Sequence, residues 1–285
     1  MERISLMQKS GICAGIVSYN PDLRRLKKNI DAIFSQVDEV VVYDNGSINQ
    51  KELVKIFQNK ITILLSNKNE GIATALNRLM EYCAKKNILW MLSLDQDSIC
   101  PYDYVKKMIP YLTIIDNLGI VAPVIIDRNI GLIGHKPKEE FAEVNTCITS
   151  GAFQNVSVWK KVGKYDESMF IDSVDFEFCY RVRKAGFKVI QVRDVQLLHE
   201  LGESKKRRFL FWKITDTGHS AFRKYYIARN NIYYPLKHRL WLHFIRGNFR
   251  NIRLVFIVLL YENDKKNKIG SIIKGWKNGL KVKRK

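Results

Sequence analysis

Apolar residues in the first two-thirds of the chain fall into two alternating patterns. Nearly unbroken apolar runs over Ile12–Tyr19, Glu39–Tyr43, Thr62–Leu65 and Ile88–Leu94 predict strands covered on both faces. Between them the period changes. Asp22–Gln36 places apolar residues at Leu23, Leu26, Ile30, Ile33 and Phe34, which is helical spacing, and Lys51–Gln58 and Gly71–Lys85 predict two further helices. Repeated winding of this kind predicts a parallel α/β sheet with helices on both faces and right-handed crossovers.

The fourth run is the most informative, because Asn87–Ser98 ends in two carboxylates one residue apart, Asp95 and Asp97. Side chains at i and i+2 of an extended chain lean the same way, and Pro101 discourages further ladder pairing. In a parallel sheet ligand chemistry sits at the carboxyl ends of the strands, so the pair is presented there to something cationic. A bare Asp-x-Asp is common by chance, and a solvated loop or helix cap is the alternative. The other strands also run into polar residues: Ser18-Tyr19-Asn20-Pro21-Asp22, Asp44-Asn45-Gly46-Ser47 and Ser66-Asn67-Lys68-Asn69-Glu70-Gly71. Any one of these is ordinary turn chemistry. Four polar carboxyl ends together predict one crevice.

Composition narrows the function classes. At 285 residues, 46% apolar and 27% charged, the chain is long enough for one large α/β domain and an appendage. Five scattered cysteines, Cys13, Cys83, Cys100, Cys147 and Cys179, lack CxxC spacing, which argues for a reducing compartment and against a zinc or disulfide framework. No GxGxxG follows the first strand, no GxxxxGK[ST] occurs, and His199-Glu200 lacks the second histidine of HExxH. The first ten residues carry Glu2, Arg3 and Lys9, and the apolar run after them ends in Asn-Pro-Asp, so it reads as a first strand and not a signal peptide. No run approaches the roughly 20 apolar residues of a spanning helix.

Charge divides the chain. Residues 1–203 hold 26 bases and 25 acids, a net of +1, whereas residues 204–285 hold 22 bases and 3 acids, a net of +19. This asymmetry predicts a nearly neutral catalytic or binding domain followed by an appendage that meets a polyanionic surface, membrane or nucleic acid. The boundary is placed between a catalytic domain over residues 1–235 and a basic amphipathic segment over 236–285. Within the appendage, Arg239–Tyr261 and Ile269–Val282 interleave basic residues with aromatic and aliphatic ones at helical spacing, which suits helices lying in an anionic headgroup layer. A solvated basic tail is the plainer alternative.

Two further stretches carry candidate chemistry. Met169–Arg181 places Asp172, Asp175 and Glu177 at the start of a helix stopped by Gly186. Capping alone would use Asp172 as N-cap and Asp175 as an N3 acid, but three acids in six residues exceed what one cap requires. Arg223, Tyr225, Tyr226, Arg229 and Asn230 lie on a later helical stretch. An arginine there either reaches a phosphate, which its planar fork suits, or belongs to a basic helix face.

Val17–Asp22, Val42–Ser47, Asn67–Ala73, Leu94–Ser98, Ser150–Phe153, Phe170–Arg181 with Ala185-Gly186-Phe187, and His199 with Gly202 resemble the ordered motif series of inverting glycosyltransferase family 2, GT-A fold. Within it they are most similar to the bacterial rhamnosyltransferase-like branch that builds O-antigen and capsule polysaccharides. The resemblance covers about residues 11–235, and its specificity lies in the order and spacing of the set. One departure stands out: where many members have Glu-Asp before the catalytic helix, this chain has Val174-Asp175, with an additional acid at Asp172.

The resemblance implies a mostly parallel, Rossmann-like sheet flanked by helices and a site shared among its motifs. Asp44 would touch the nucleobase or ribose, and Ser18, Asn20, Asn45, Asn67, Gly71, Asp95, Gln96 and Arg229 would line the nucleotide-sugar site. Asp95 and Asp97 match the DxD pair, with His199 completing a metal site for Mg²⁺ or Mn²⁺. Asp175 matches the general base, Glu177 a second acid that orients the acceptor, and Asp172 a further catalytic candidate. The implied donor is a nucleotide-diphosphate sugar, dTDP-rhamnose in preference, and the implied acceptor a polyprenyl-diphosphate-linked glycan at the cytoplasmic face of the cell membrane, with no nucleic acid bound.

Elementary chemistry agrees with this assignment. A divalent cation bridging a diphosphate stabilises the charge that builds on that leaving group, and the acceptor hydroxyl needs a carboxylate to take its proton. His199 follows the apolar run Val189–Leu198, at another strand end. A metal-dependent nucleotidyltransferase could use the same DxD on a similar sheet. A glycoside hydrolase could use two carboxylates such as Asp97 and Asp175, but would need no metal and is usually secreted. A nucleic-acid-binding protein would explain the basic appendage, but no recognised motif of that kind appears.

Overall fold

The computed structural model describes residues 11–127, 131–199, 205–209, 212–216 and 218–281. The chain packs as two compact units, one of residues 1–167 and 178–200, the other of residues 168–177 and 201–285.

The first unit is built on strands β1 (Ile12–Ser18), β2 (Glu39–Asp44), β3 (Thr62–Leu65) and β4 (Trp90–Asp95), linked by helices α1 (Leu23–Phe34), α2 (Gln50–Phe57) and α3 (Ile72–Lys85). The four strands are parallel in the order β3-β2-β1-β4. β1 and β4 are buried along nearly their whole length, as unbroken apolar runs require. α1 starts at Asp22, whose carboxylate caps the N–H groups of Arg24 and Arg25. It buries Leu26, Ile30 and Ile33, while Phe34 is exposed, with the Lys60 ammonium over its ring. β4 begins two residues later than the apolar run suggests. Asn87 is left-handed and the Ile88 N–H bonds Cys83 O, so the chain is still leaving α3 there.

The sheet continues through a region that periodicity did not delimit. After α4 (Tyr104–Ile114) come β5 (Leu118–Asp127), β6 (Gly131–Ile133), β7 (Phe141–Glu143), β8 (Phe153–Asn155) and α5 (Val156–Val162). β8 lies antiparallel between β4 and β5. β9 (Lys188–His199) runs parallel to β5, with β7 at the edge. One apolar core spans both ends of this sheet, from Ile12, Leu26 and Val42 to Phe153, Ile190 and Leu197.

The second unit contains the first turn of α6 (Val174–Lys184), a hairpin of β10 (Lys205–Phe209) and β11 (Trp212–Asp216), and α7 (Ala221–Lys237), α8 (Trp241–Tyr261) and α9 (Lys265–Gly279). The helices meet through glycine. A Cβ on Gly247 of α8 would lie 2.0 Å from Asn231 O, and one on Gly275 of α9 would lie 2.1 Å from Tyr225 O. Both helices therefore press directly on the α7 backbone around Ala228, Val258 and Ile272. Glu262 is buried and bonds Lys224 at 2.6 Å and Lys268 at 2.7 Å. Among the described residues no helix is long and apolar enough to cross a membrane. Gly202 and Val282 lie outside the described residues, and of His199 only the backbone is described.

Candidate active site

Strand register brings the polar ends together. Ser18 pairs with Asp44, Val17 with Asp95, and Asp44 with Leu65, so the carboxyl ends of β3, β2, β1 and β4 line one edge of the sheet. The chain turns back on itself between β1 and β4, with β2 and β3 to one side. Such a reversal opens a crevice in a doubly wound sheet.

Asp44 organises this crevice from below. It is fully buried, and its carboxylate accepts from Ser47 N at 3.0 Å, Ser47 Oγ at 2.5 Å, Gln50 Nε2 at 2.7 Å and Ser18 Oγ at 3.3 Å. Asn20, left-handed, donates its N–H to Ser47 Oγ and accepts from Ile48 N, both at 2.8 Å. Asn45, also buried, accepts from Glu70 N at 2.9 Å and donates to Asn69 Oδ1 and Gly71 O. Ser18, Asn20, Asp44, Asn45 and Gly71 thus form one hydrogen-bonded floor. Gly46 permits it: φ is +80° and a Cβ would come within 2.4 Å of the Lys68 carbonyl carbon. Asn67 stands exposed on the same loop, beside a groove of about 580 Å³ lined by Tyr43, Glu70, Arg78 and Tyr82.

The DxD segment has a pinned backbone. Asn29 Nδ2 donates to Asp95 O at 2.7 Å, and the Arg25 guanidinium reaches Asp97 O at 3.4 Å. The side chain of Gln96 accepts from Tyr19 N at 2.8 Å, tying β4 to the end of β1. Asn29 was not anticipated as a site residue. Its signal was a polar side chain on the apolar stripe of α1, where it is fully buried between Leu26 and Ile33.

β9 supplies a fifth strand end. Its register slips between Gln191 and Gln196, opposite Ala122 and Val124 of β5, and bulges commonly re-aim strand ends beside active sites. Leu198 then bridges Ile99, two residues beyond Asp97, so the backbone carries His199 toward the DxD loop. Two partly exposed carboxylates on a fixed backbone are hard oxygen donors that fit Mg²⁺ or Mn²⁺ completed by phosphate and water. Among the described residues no three His, Cys, Asp or Glu side chains cluster to hold an ion.

The acids of the second unit have different surroundings from one another. Asp172 and Ser173 are both left-handed, at φ +66° and +61°. Asp172 lies just outside the cap position and pairs with Arg223 at 3.1 Å. Burial raises its carboxyl above the ordinary aspartate range, against the pull of Arg223. Asp175 sits in the first turn of α6, partly exposed, with Oδ1 accepting from Phe176 N. Glu177 is fully buried and accepts from Lys237 Nζ and His238 Nε2, each at 2.8 Å. Arg229 donates to Ser168 O at 3.0 Å and to Asn230 Oδ1 at 2.8 Å, and lies over the Tyr233 ring. The partners Lys237 and His238 are sixty residues downstream of Glu177, and no local pattern announces them.

The model of glycosyl transferase family 2 matches residues 13–172. The dTDP-rhamnosyl transferase RfbF of Shigella flexneri is 32% identical over 237 residues, covering 78% of this chain and 78% of that one. Among solved structures, residues 1–349 of TarS of S. aureus in complex with UDP-GlcNAc superpose with a TM-score of 0.60 at 14% identity, covering 93% of this chain and 81% of that one. The mannosyltransferase PcManGT of Pyrobaculum calidifontis, in complex with GDP-Man and Mn2+, gives a TM-score of 0.57 at 12% identity, covering 96% and 76%. At these identities the two structures share the fold with this chain.

Proposed function

The chain belongs to glycosyl transferase family 2, and from that premise we propose that it moves rhamnose from dTDP-rhamnose to a polyprenyl-diphosphate-linked glycan, with inversion at the anomeric carbon. The observation that supports this reading is the strand register, which pairs Val17 with Asp95 and Ser18 with Asp44, so that β4 runs into the DxD segment next to the polar ends of β1 and β2. The choice of donor rests on the likeness to the Shigella enzyme, which is named a dTDP-rhamnosyl transferase.

The floor of Ser18, Asn20, Asp44, Asn45 and Gly71 shapes the nucleoside end of the site, and Asn67 and Gln96 border it. Asp97, with Asp95 and His199, would hold Mg²⁺ or Mn²⁺. A bound divalent ion neutralises charge on the departing diphosphate. Asp175 takes the proton of the acceptor hydroxyl as its oxygen bonds the anomeric carbon and the bond from that carbon to the diphosphate oxygen breaks; dTDP leaves with the electron pair. Its place in the first turn of α6 is one where the helix dipole favours negative charge. Asp172, paired with Arg223, supports the turn before Asp175. Glu177 joins α6 to the end of α7 through Lys237 and His238, and orients the acceptor region through that anchorage. Arg229 acts on the same segment through Ser168. The basic segment from residue 236 holds the enzyme at an anionic membrane surface, where a lipid-linked acceptor resides.

A panel of nucleotide-diphosphate sugars, assayed for nucleoside diphosphate release with a lipid-linked glycan acceptor, tests this. dTDP-rhamnose should turn over fastest. Faster turnover of another sugar overturns the donor assignment, and release of sugar 1-phosphate instead of nucleoside diphosphate would mark a nucleotidyltransferase.

A further inference from the structure

We propose that one face of α8 is the surface that enters the lipid, and that α9 does not. Leu242, Ile245, Phe249, Ile252, Phe256 and Leu260 recur every three or four residues along α8, and all are exposed, Leu242 at 70%, Phe249 at 66% and Phe256 at 58%. At 100° per residue these six fall within about a quarter of the helix circumference. Aromatic and branched side chains exposed in a continuous row mark an interaction surface, unlike single exposed apolar residues scattered over a protein.

The direction of the row is fixed by packing. The opposite side of α8 seats Gly247 against Asn231 O, and Asn251 Nδ2 donates to Ala228 O at 2.9 Å while its Oδ1 accepts from Asn231 Nδ2 at 2.9 Å. Asn248 Oδ1 accepts from Trp276 Nε1 of α9 at 2.9 Å. α8 cannot rotate its apolar row inward without breaking these bonds. α9 is different: it buries Ile272, Gly275 and Gly279, and its outer positions are chiefly lysines, Lys266, Lys274 and Lys277 among them.

Charge identifies the occupant as an anionic phospholipid layer. Arg246, Arg250 and Arg253, all exposed, form a second row along one rim of the apolar one, and α8 contains no acid. An apolar stripe edged by arginine inserts to the acyl boundary while the guanidinium groups stay among phosphates. A second copy of the chain is a poorer fit, because two segments of net charge +19 would have to meet.

This inference rests on the membrane reading above, and vesicle binding and donor turnover are separate readouts. Flotation with phosphatidylglycerol/phosphatidylcholine vesicles should capture the wild type at least about tenfold better than phosphatidylcholine alone. Phe249→Asp with Phe256→Asp should lose at least about tenfold in binding, Ile273→Asp on α9 should bind as wild type, and all should release nucleoside diphosphate from dTDP-rhamnose in solution at unchanged rates. Arg246→Gln with Arg250→Gln and Arg253→Gln, a change confined to exposed side chains, should abolish the preference for phosphatidylglycerol. Undiminished binding by the double aspartate variant, equal loss with Ile273→Asp, or a stripe-dependent dimer in sedimentation without vesicle capture would each overturn the proposal. A wild type that turns over donor but is not captured by the vesicles removes this inference alone; a wild type that is captured but does not turn over donor removes the catalytic reading alone.

Discussion

Asn230 holds Asp172 by its backbone: the side-chain amide nitrogen of Asn230 donates to Asp172 O at 2.8 Å and to Ile171 O at the same distance. Two consecutive non-glycine residues, Asp172 and Ser173, are left-handed immediately before α6. Such backbone costs about 1–3 kcal/mol per residue and persists only where surroundings enforce it. Fully buried Asn230 enforces it from one side and Arg223, on the Asp172 carboxylate, from another. Asn230→Ala should therefore let the turn relax and misplace Asp175. We expect kcat to fall about tenfold or more with donor KM within about twofold, measured by steady-state kinetics; unchanged kcat would show that the turn needs no such support.

The two aspartates of this segment should separate under conservative substitution. Asp175→Asn keeps shape and removes basicity, so turnover should drop about 10²-fold or more while donor affinity holds. Asp172→Asn should cost less. A reversed order in side-by-side initial rates would move the base to Asp172.

Asp172 also predicts a pH dependence of stability. Burial favours its protonated form in the folded state, so the stability it lends is fully present below the ordinary aspartate pKa and is lost as pH rises through the raised folded value. Chemical denaturation across that acidic window should show Asp172→Asn gaining on wild type as pH increases. A flat or opposite difference would mean that Arg223 outweighs burial.

Gly46 and Glu262 test the two units separately. Gly46→Ala adds a Cβ at φ +80° against the Lys68 backbone. It should cost at least about 1–3 kcal/mol by strain alone and lower donor affinity by spoiling the floor around Asp44. Glu262→Ala leaves Lys224 buried without its carboxylate, a loss of about 3–5 kcal/mol. Urea titrations of both variants check this; wild-type midpoints would contradict the packing described.

What could be read from the sequence followed how local each signal was. β1 to β4 and their polar ends were legible because a buried parallel strand announces itself as an apolar run and its ligand end as a break in that run. Asp95 and Asp97 were legible for the same reason. The bonds that hold the site were not. Asn29 reaches Asp95 across 66 residues, Asn230 reaches Asp172 across 58, and Lys237 reaches Glu177 across 60. Each is one polar side chain whose partner is set by tertiary packing. β6, β7 and β8 escaped because they span only three residues each, too short for a period to register. Asp172 looked like an N-cap by spacing; its left-handed backbone instead turns it to Arg223.

The central claim is that the DxD carboxylates at the end of β4 hold the donor diphosphate through a divalent ion. Initial rates of dTDP release from dTDP-rhamnose, with a glycan acceptor, test it in wild type and Asp97→Asn. We expect wild-type turnover to vanish in excess chelator and return with Mn²⁺ or Mg²⁺, and the variant to fall about 10²-fold or more with its circular dichroism unchanged. A fully active Asp97→Asn, or a wild type indifferent to chelator, would contradict the account.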